Sequence, residues 1–325
     1  PYPVSNKLDG LSAILYPLSA VAIIGLAIWS SLKTKIFTFG IGFYFITIAL
    51  VLQFLSVGLA LMADRYSYVP YIGLAFLLTY VADLWLAKKS KALQYGWFSI
   101  LIIFISFLAI KTKSQVDVWQ NSESLWTQAL QYYPAEDLIL ANRGNHRGKT
   151  GNINGAMTDF EAAIADGCTR ADVYEGLGNS YGTMSEQQPD KKNEYITKAI
   201  AMFNKALELE PNNGQVRYNL GVAQLQTNPG ASVEAFSEAL RLMPYKEANI
   251  LPVLGLSQLN SGNYQEAIIT LTKVISSGNA TDAVFYHRGL ANLGIGNRDV
   301  AKNDFDQALA INPANVDVKA RLAAM

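Results

Sequence analysis

The chain is poor in the residues that most intracellular chemistry uses. It has one cysteine, Cys168, and two histidines, His146 and His287, in 325 residues. A disulfide framework or a cysteine metal site within one chain is thereby excluded. Cys168 reads as a small apolar packing residue. No G-x-x-x-x-G-K-[ST] loop, H-E-x-x-H pair or C-x-x-C pair occurs, and no metal site is expected. The two histidines fall in distant segments, which makes them ordinary surface or groove residues. Charge is also scarce where it would matter for solubility. The first 110 residues carry seven basic and three acidic groups, and the rest carry 19 basic and 23 acidic. The second part is therefore mildly acidic. Phosphate neutralisation needs a basic surface, so nucleic acid is not an expected partner.

What fills the charge-poor part is apolar. Four stretches follow one another, at about 11–32, 36–62, 70–87 and 93–110. About 20 apolar residues in a helix span a bilayer, and the last two stretches lie near the short limit of about 17. A backbone in lipid must satisfy its own hydrogen bonds, so the stretches are expected to be helices. Trp29, Tyr66, Tyr68, Tyr71, Trp85, Tyr95 and Trp97 sit near their ends, as interface anchors do. The short loops holding Lys33 and Lys35, and Lys88, Lys89 and Lys91, are assigned to the cytoplasm. The loop 63–69 and everything after Lys111 then face outward: the periplasm from a bacterial inner membrane, or the lumen from an ER membrane. Gln53 is expected to bond between helices, and Asp83 to lie at the interface.

The remainder is periodic. Gly144, Gly178, Gly221, Gly255 and Gly289 are spaced by 34, 43, 34 and 34 residues. A second series follows in phase: Ala156, Phe160 and Ala163; Ala199, Phe203 and Ala206; Phe236 and Ala239; Ala267, Leu271 and Val274; Ala301, Phe305 and Ala308. Pro211, Pro244 and Pro313 close units. This is the tetratricopeptide pattern of helical hairpins, whose apolar faces are buried only by stacking on neighbours. The 43-residue interval contains the polar insertion SEQQPDKKN, 185–193, expected as a loop. The acidic residues Asp159, Glu161 and Glu208 are expected on solvated faces, and 314–325 as a cap or the start of a further repeat.

The fold class is therefore all-α: a transmembrane bundle of about four spans at 1–113, a connecting amphipathic helix at 114–133, and a tetratricopeptide solenoid of about five repeats at 134–325. A peptide or protein bound in the repeat groove and membrane lipid are the expected partners. Asn145, Glu175, Asn179, Tyr218 and Tyr286 occupy positions that line such grooves. One loop stands apart, Met62 to Leu74, MADRYSYVPYIGL. Its adjacent Asp64 and Arg65, with Tyr66 and Tyr68, sit at a membrane boundary. A guanidinium there suits a lipid phosphate, because its fork binds phosphate oxygens bidentately. Pairing of Asp64 with Arg65 and interfacial anchoring by the tyrosines is the other reading.

That loop resembles a motif of membrane glycosyltransferases with C-terminal tetratricopeptide repeats. The eukaryotic members of this family are the transmembrane and tetratricopeptide-repeat O-mannosyltransferases. The likeness extends to PYP at 1–3 and to the W-x-x-x-x-x-L-W segment from Trp119 to Trp126. It implies an enzyme moving a sugar from a polyprenyl-phosphate carrier to a protein hydroxyl on the outward face. Asp64 and Arg65 would lie at the outward site, and the repeats would hold the acceptor. The catalytic carboxylate of such enzymes is expected in a loop between earlier spans, so upstream residues are expected before Pro1. A non-catalytic membrane scaffold recruiting envelope proteins is the alternative. A transporter is disfavoured, because no Gly/Pro-broken helix pair marks a substrate path.

Overall fold

The computed structural model describes Leu18, Gly25, Ile28, Trp29 and residues 34–49, 68–134 and 136–325. Among these residues all regular structure is helical. The chain divides into two compact units, Pro1–Val116 and Asp117–Met325.

In the first unit, α1 runs Lys35–Ala49, α2 Tyr68–Leu86 and α3 Lys91–Val118. Two of them, α2 and α3, are long and apolar enough to cross a bilayer, with mean hydropathies of 1.6 and 2.0 in their best windows. Four spans are thus not established. The stretch 11–32 lies almost wholly outside the described residues, and α1 covers only part of 36–62. Gln53 is outside them too; Asp83 is exposed on α2. The apolar side chains of α2 and α3 have few protein neighbours. Only 11% of the α2 window and none of the α3 window is buried. Where α1 and α2 do touch, small residues let the backbones close in, as in helix pairs within lipid. A Cβ on Gly73 would stand 2.5 Å from the Gly40 carbonyl oxygen, and one on Gly40 would strike Leu77. Between α2 and α3, Trp85 and Trp97 meet edge to face at 5.8 Å, and the Lys89 ammonium lies 5.1 Å from the Trp85 ring.

The first helix that lies wholly in the second unit is α4, Ser122–Tyr132, capped by the Asn121 side chain on the Ser124 N–H. α3 ends at Val118, and α4 starts at Ser122. Five hairpins follow: α5 Asp137–Lys149 with α6 Ile153–Ala165; α7 Ala171–Gln187 with α8 Lys192–Leu209; α9 Gly214–Gln224 with α10 Pro229–Leu242; α11 Glu247–Asn260 with α12 Tyr264–Ser276; α13 Asp282–Gly294 with α14 Arg298–Ile311. The last helix, α15 at Val316–Ala323, buries Val318 at the end of the array.

The periodic residues form the core for the reason their sizes suggest. Each of the five periodic glycines lies under the large residue of its partner helix. A Cβ would come within 2.9 Å of Phe160 at Gly144, 2.6 Å of Phe203 at Gly178 and 2.9 Å of Phe236 at Gly221. At Gly255 and Gly289 it would come within 2.6 Å of Leu271 and Phe305. Ala156, Ala163, Ala199, Ala206, Ala239, Ala267, Ala301 and Ala308 are completely buried between hairpins. The turns are specified locally as well. Asn152, Asn213, Asn228 and Asn315 each accept a backbone N–H at a helix start. Gly151 and Gly296 hold φ of 85° and 86°, which only glycine adopts cheaply.

Two sequence expectations are corrected here. The insertion 185–193 is not an irregular loop. It lengthens α7 to 17 residues and α8 to 18, against 13 for both α5 and α6, and joins them by the 3-10 turn Pro189–Lys191. Polar composition suited a loop, but two extra turns satisfy the same backbone internally. Asp159 is not solvated: it is 1% exposed, and its carboxylate takes hydrogen bonds from Arg143 at 2.6 Å and Arg147 at 3.0 Å. Glu161 and Glu208 are exposed as expected.

Candidate functional site

Of the loop residues, Asp64, Arg65 and Tyr66 lie outside the described residues. Tyr68 is the first residue of α2, 68% exposed.

The five groove candidates all lie on first helices of hairpins, but they do not form one site. Asn179 on α7 and Tyr218 on α9 share a cavity of about 550 Å³. Asn145, Glu175 and Tyr286 are not among its lining residues. Asn145 is half-buried on α5. Tyr286 packs its ring against Phe305 at 5.9 Å and His287 at 5.8 Å. Glu175 is half-buried, and burial pushes its carboxyl above the usual range, with Glu210 and Asp172 adding repulsion.

The cavity is held together by amides that the glycine and alanine periodicity could not reveal. Asn219 on α9 donates to the Asn179 carbonyl oxygen at 3.0 Å, across consecutive hairpins. Gln215 donates to Asn219 Oδ1 at 3.0 Å, and Lys246 donates to Gln215 Oε1 at 2.7 Å. Tyr218 is fixed by an edge-to-face contact with Phe236 at 5.4 Å. The floor is Ile196, Ala199 and Phe203, all buried, and Val222 stands at the rim, 49% exposed. The one sequence signal for this place was the 43-residue spacing, because Ser185, Glu186 and Lys192 of the insertion line the cavity. Its chemistry is that of a binding surface: amides that can both give and accept hydrogen bonds, over an apolar base.

Several charged groups elsewhere in the array are used in packing. Arg143 and Arg147 share Asp159, and Arg147 also grips Glu123 of α4 at 2.6 Å. Hydrogen bonding from Arg147 holds the Glu123 carboxyl below its ordinary range. The arrangement recurs in the last hairpin, where Arg288 binds Asp304 at 2.5 Å and Thr272 at 3.1 Å. Arg143 likewise reaches Thr127 at 3.3 Å, with the same sixteen-residue offsets. Thus α4 packs on α5 as α12 packs on α13. Among the described residues no group of three or more His, Cys, Asp or Glu could hold a metal. Cys168 is buried, and burial pushes its thiol up, away from reactivity.

His287 gives a pH dependence with a defined sign. Burial lowers its pKa from 6.5. Below that value the unfolded chain binds a proton that the folded chain resists, so stability falls as pH drops through 6.5. Thermal melts between pH 7.5 and 5.5 are expected to show a loss that is smaller in His287→Gln. An equal loss in both would assign the effect to other groups.

Comparison with known proteins locates the same repeats. The tetratricopeptide repeat family (TPR_8) matches residues 191–213 and 283–315. The mitochondrial import receptor subunit TOM70 of Saccharomyces cerevisiae is 26% identical over 142 residues, covering 41% of this chain and 22% of that protein. The chain thus spans about a fifth of the length of the curated relatives it matches. The crystal structure of YrrB, described as a TPR protein with an unusual peptide-binding site, superposes with a TM-score of 0.54. It is 21% identical, over 62% of this chain and 98% of that one. The crystal structure of MamA protein is 22% identical over 56% of this chain and 94% of that one, with a TM-score of 0.47. The chain carries tetratricopeptide repeats, and its array has the fold of a tetratricopeptide protein.

Proposed function

We propose that the chain is a membrane-anchored tetratricopeptide receptor that holds an extended segment of a partner protein on its first-helix face. The observation that carries the reading is the amide-lined cavity at Asn179, Asn219 and Tyr218. No described residue accepts from Asn179 Nδ2, so that donor remains for a backbone carbonyl. An extended peptide offers carbonyl and N–H groups to such side chains, and repeat solenoids present extended concave surfaces of this kind. The anchor follows from α2 and α3, whose apolar surface would be costly in water. An outward array, in the periplasm of a bacterium or the ER lumen of a eukaryote, belongs to the same proposal.

The test is recruitment. Full-length chain in lipid nanodiscs should bind members of a random peptide library through the array, and Asn179→Ala with Asn219→Ala should weaken that binding about tenfold. Retention of the chain in membranes after alkaline carbonate is expected too. Release by carbonate, or binding indifferent to both asparagines, would overturn the reading.

The loop 62–74 favours a second reading, in which the chain is part of a glycosyltransferase. Arg65 would grip the phosphate of a polyprenyl-phosphate sugar donor, with Asp64 beside it. The repeats would hold the acceptor protein. Loss of sugar transfer in Arg65→Ala, with peptide binding intact, would favour it. Unchanged transfer would return the chain to the scaffold class.

A further inference from the structure

The insertion that breaks the 34-residue period does more than lengthen a hairpin. Aligning Phe203 of α8 with Phe160 of α6 puts Ile196 where α6 begins, at Ile153. Residues before Ile196 in α8, and those after Thr183 in α7, therefore have no counterpart in the first hairpin. Ser185, Glu186 and Lys192 come from these extra turns and line the cavity. α9 contributes Asn219 and Val222 to the lining, and its C-cap contributes Leu225. The insertion thus supplies lining residues that the first hairpin has no counterpart for.

Three properties restrict what the pocket can take. Its base, Ile196, Ala199 and Phe203, is apolar and at most 8% exposed. Its volume of about 550 Å³ lies within the range of small-ligand pockets, about 300–1,000 Å³. Its charge is balanced: Glu186 and Lys192 are the only charged side chains among the lining residues. The neighbouring ammonium of Lys246 is already held by Gln215. A partner carboxylate would find one cation and a partner lysine one carboxylate, each in a pocket that also holds the opposite charge. Burying either charge without compensation is costly. An uncharged apolar side chain loses nothing comparable and gains the base.

We propose, building on the receptor reading, that this pocket is the specificity subsite of the groove. It seats one large apolar side chain, of leucine, methionine or phenylalanine size, from an uncharged extended segment of the partner. Asn179 and Asn219 hold that segment's backbone at the rim.

Panning a random dodecapeptide phage library against the full chain in nanodiscs tests this directly. The expected selection shares one large apolar position flanked by uncharged residues. A labelled synthetic peptide of that consensus should lose at least tenfold affinity by fluorescence anisotropy in Val222→Glu. Val222 is exposed on a helix surface, so the variant should keep its thermal melt. A second variant removes residues 185–193 and restores the 34-residue period; it should lose the apolar preference and keep a folded array. Selection of acidic or lysine-centred peptides overturns the subsite, as does binding indifferent to both variants, while the receptor reading stands in each case. Failure of the unaltered chain to bind any peptide would remove the receptor reading and the subsite together.

Discussion

Asp159→Ala is expected to destabilise the N-terminal end of the array by about 3 kcal/mol or more, the lower end of what breaking a buried ion pair costs. The carboxylate side chain is 2% exposed and is shared by two guanidinium groups, 16% and 18% exposed. Removing it leaves Arg143 with a hydroxyl, Thr127, at 3.3 Å, and Arg147 with Glu123. Partial exposure of both arginines argues for the lower end of the range. The damage should be local, because each repeat contacts only its neighbours. Hydrogen exchange should therefore accelerate in α4, α5 and α6 and stay near normal in α13 and α14. Asp304→Ala should give the mirror result, with Arg288 stripped of its carboxylate at the other end. Uniform acceleration along the array in either variant would show that the solenoid unfolds as one unit, contrary to this expectation.

Phe236→Ala carries the second large effect, about 3–5 kcal/mol for deleting a fully buried phenylalanine. The ring covers Gly221 and meets Tyr218 edge to face. Glycine cannot fill the space left, since its lack of a side chain is what allowed the ring in. Tyr218 would lose the surface that fixes it, and it lines the cavity. Urea denaturation should show the stability loss, and peptide affinity at temperatures where the variant stays folded should fall as well. Phe305→Ala, equally buried but in the separate core cluster of the last hairpin, should cost similar stability and leave affinity unchanged. Equal loss of affinity in both would mean that binding reports general stability and not the site.

Much of the array was readable because a repeat states its packing several times over. Gly144 beside Phe160 is ambiguous alone. Five such pairs in phase are not, and the solenoid follows from the need to stack hairpins that cannot bury their own faces. The same logic failed at 185–193. A polar stretch with a proline suited a loop, and nothing local indicated that two flanking helices would each gain a turn. The burial of Asp159 escapes the pattern for a related reason. Helical spacing puts a carboxylate on a face, but it does not say that Arg143 and Arg147 reach across from another helix to neutralise it. Among the groove candidates, Asn179 and Tyr218 came together, whereas Glu175 and Tyr286 occupy equivalent positions with different neighbours. Position within a repeat fixes direction; the adjoining hairpin fixes surroundings.

By itself the sequence determined a helical array of about 34-residue units, the residues at its core and an apolar N-terminal part. Each of these depends on local period and side-chain size, which the order of residues contains. The tertiary structure alone decided where the charges are buried, that the insertion lines the cavity, and that Asn219 joins Asn179. Those outcomes depend on which side chains distant hairpins bring within about 3 Å, the reach of a hydrogen bond. Stacking produces that proximity, and periodicity does not encode it.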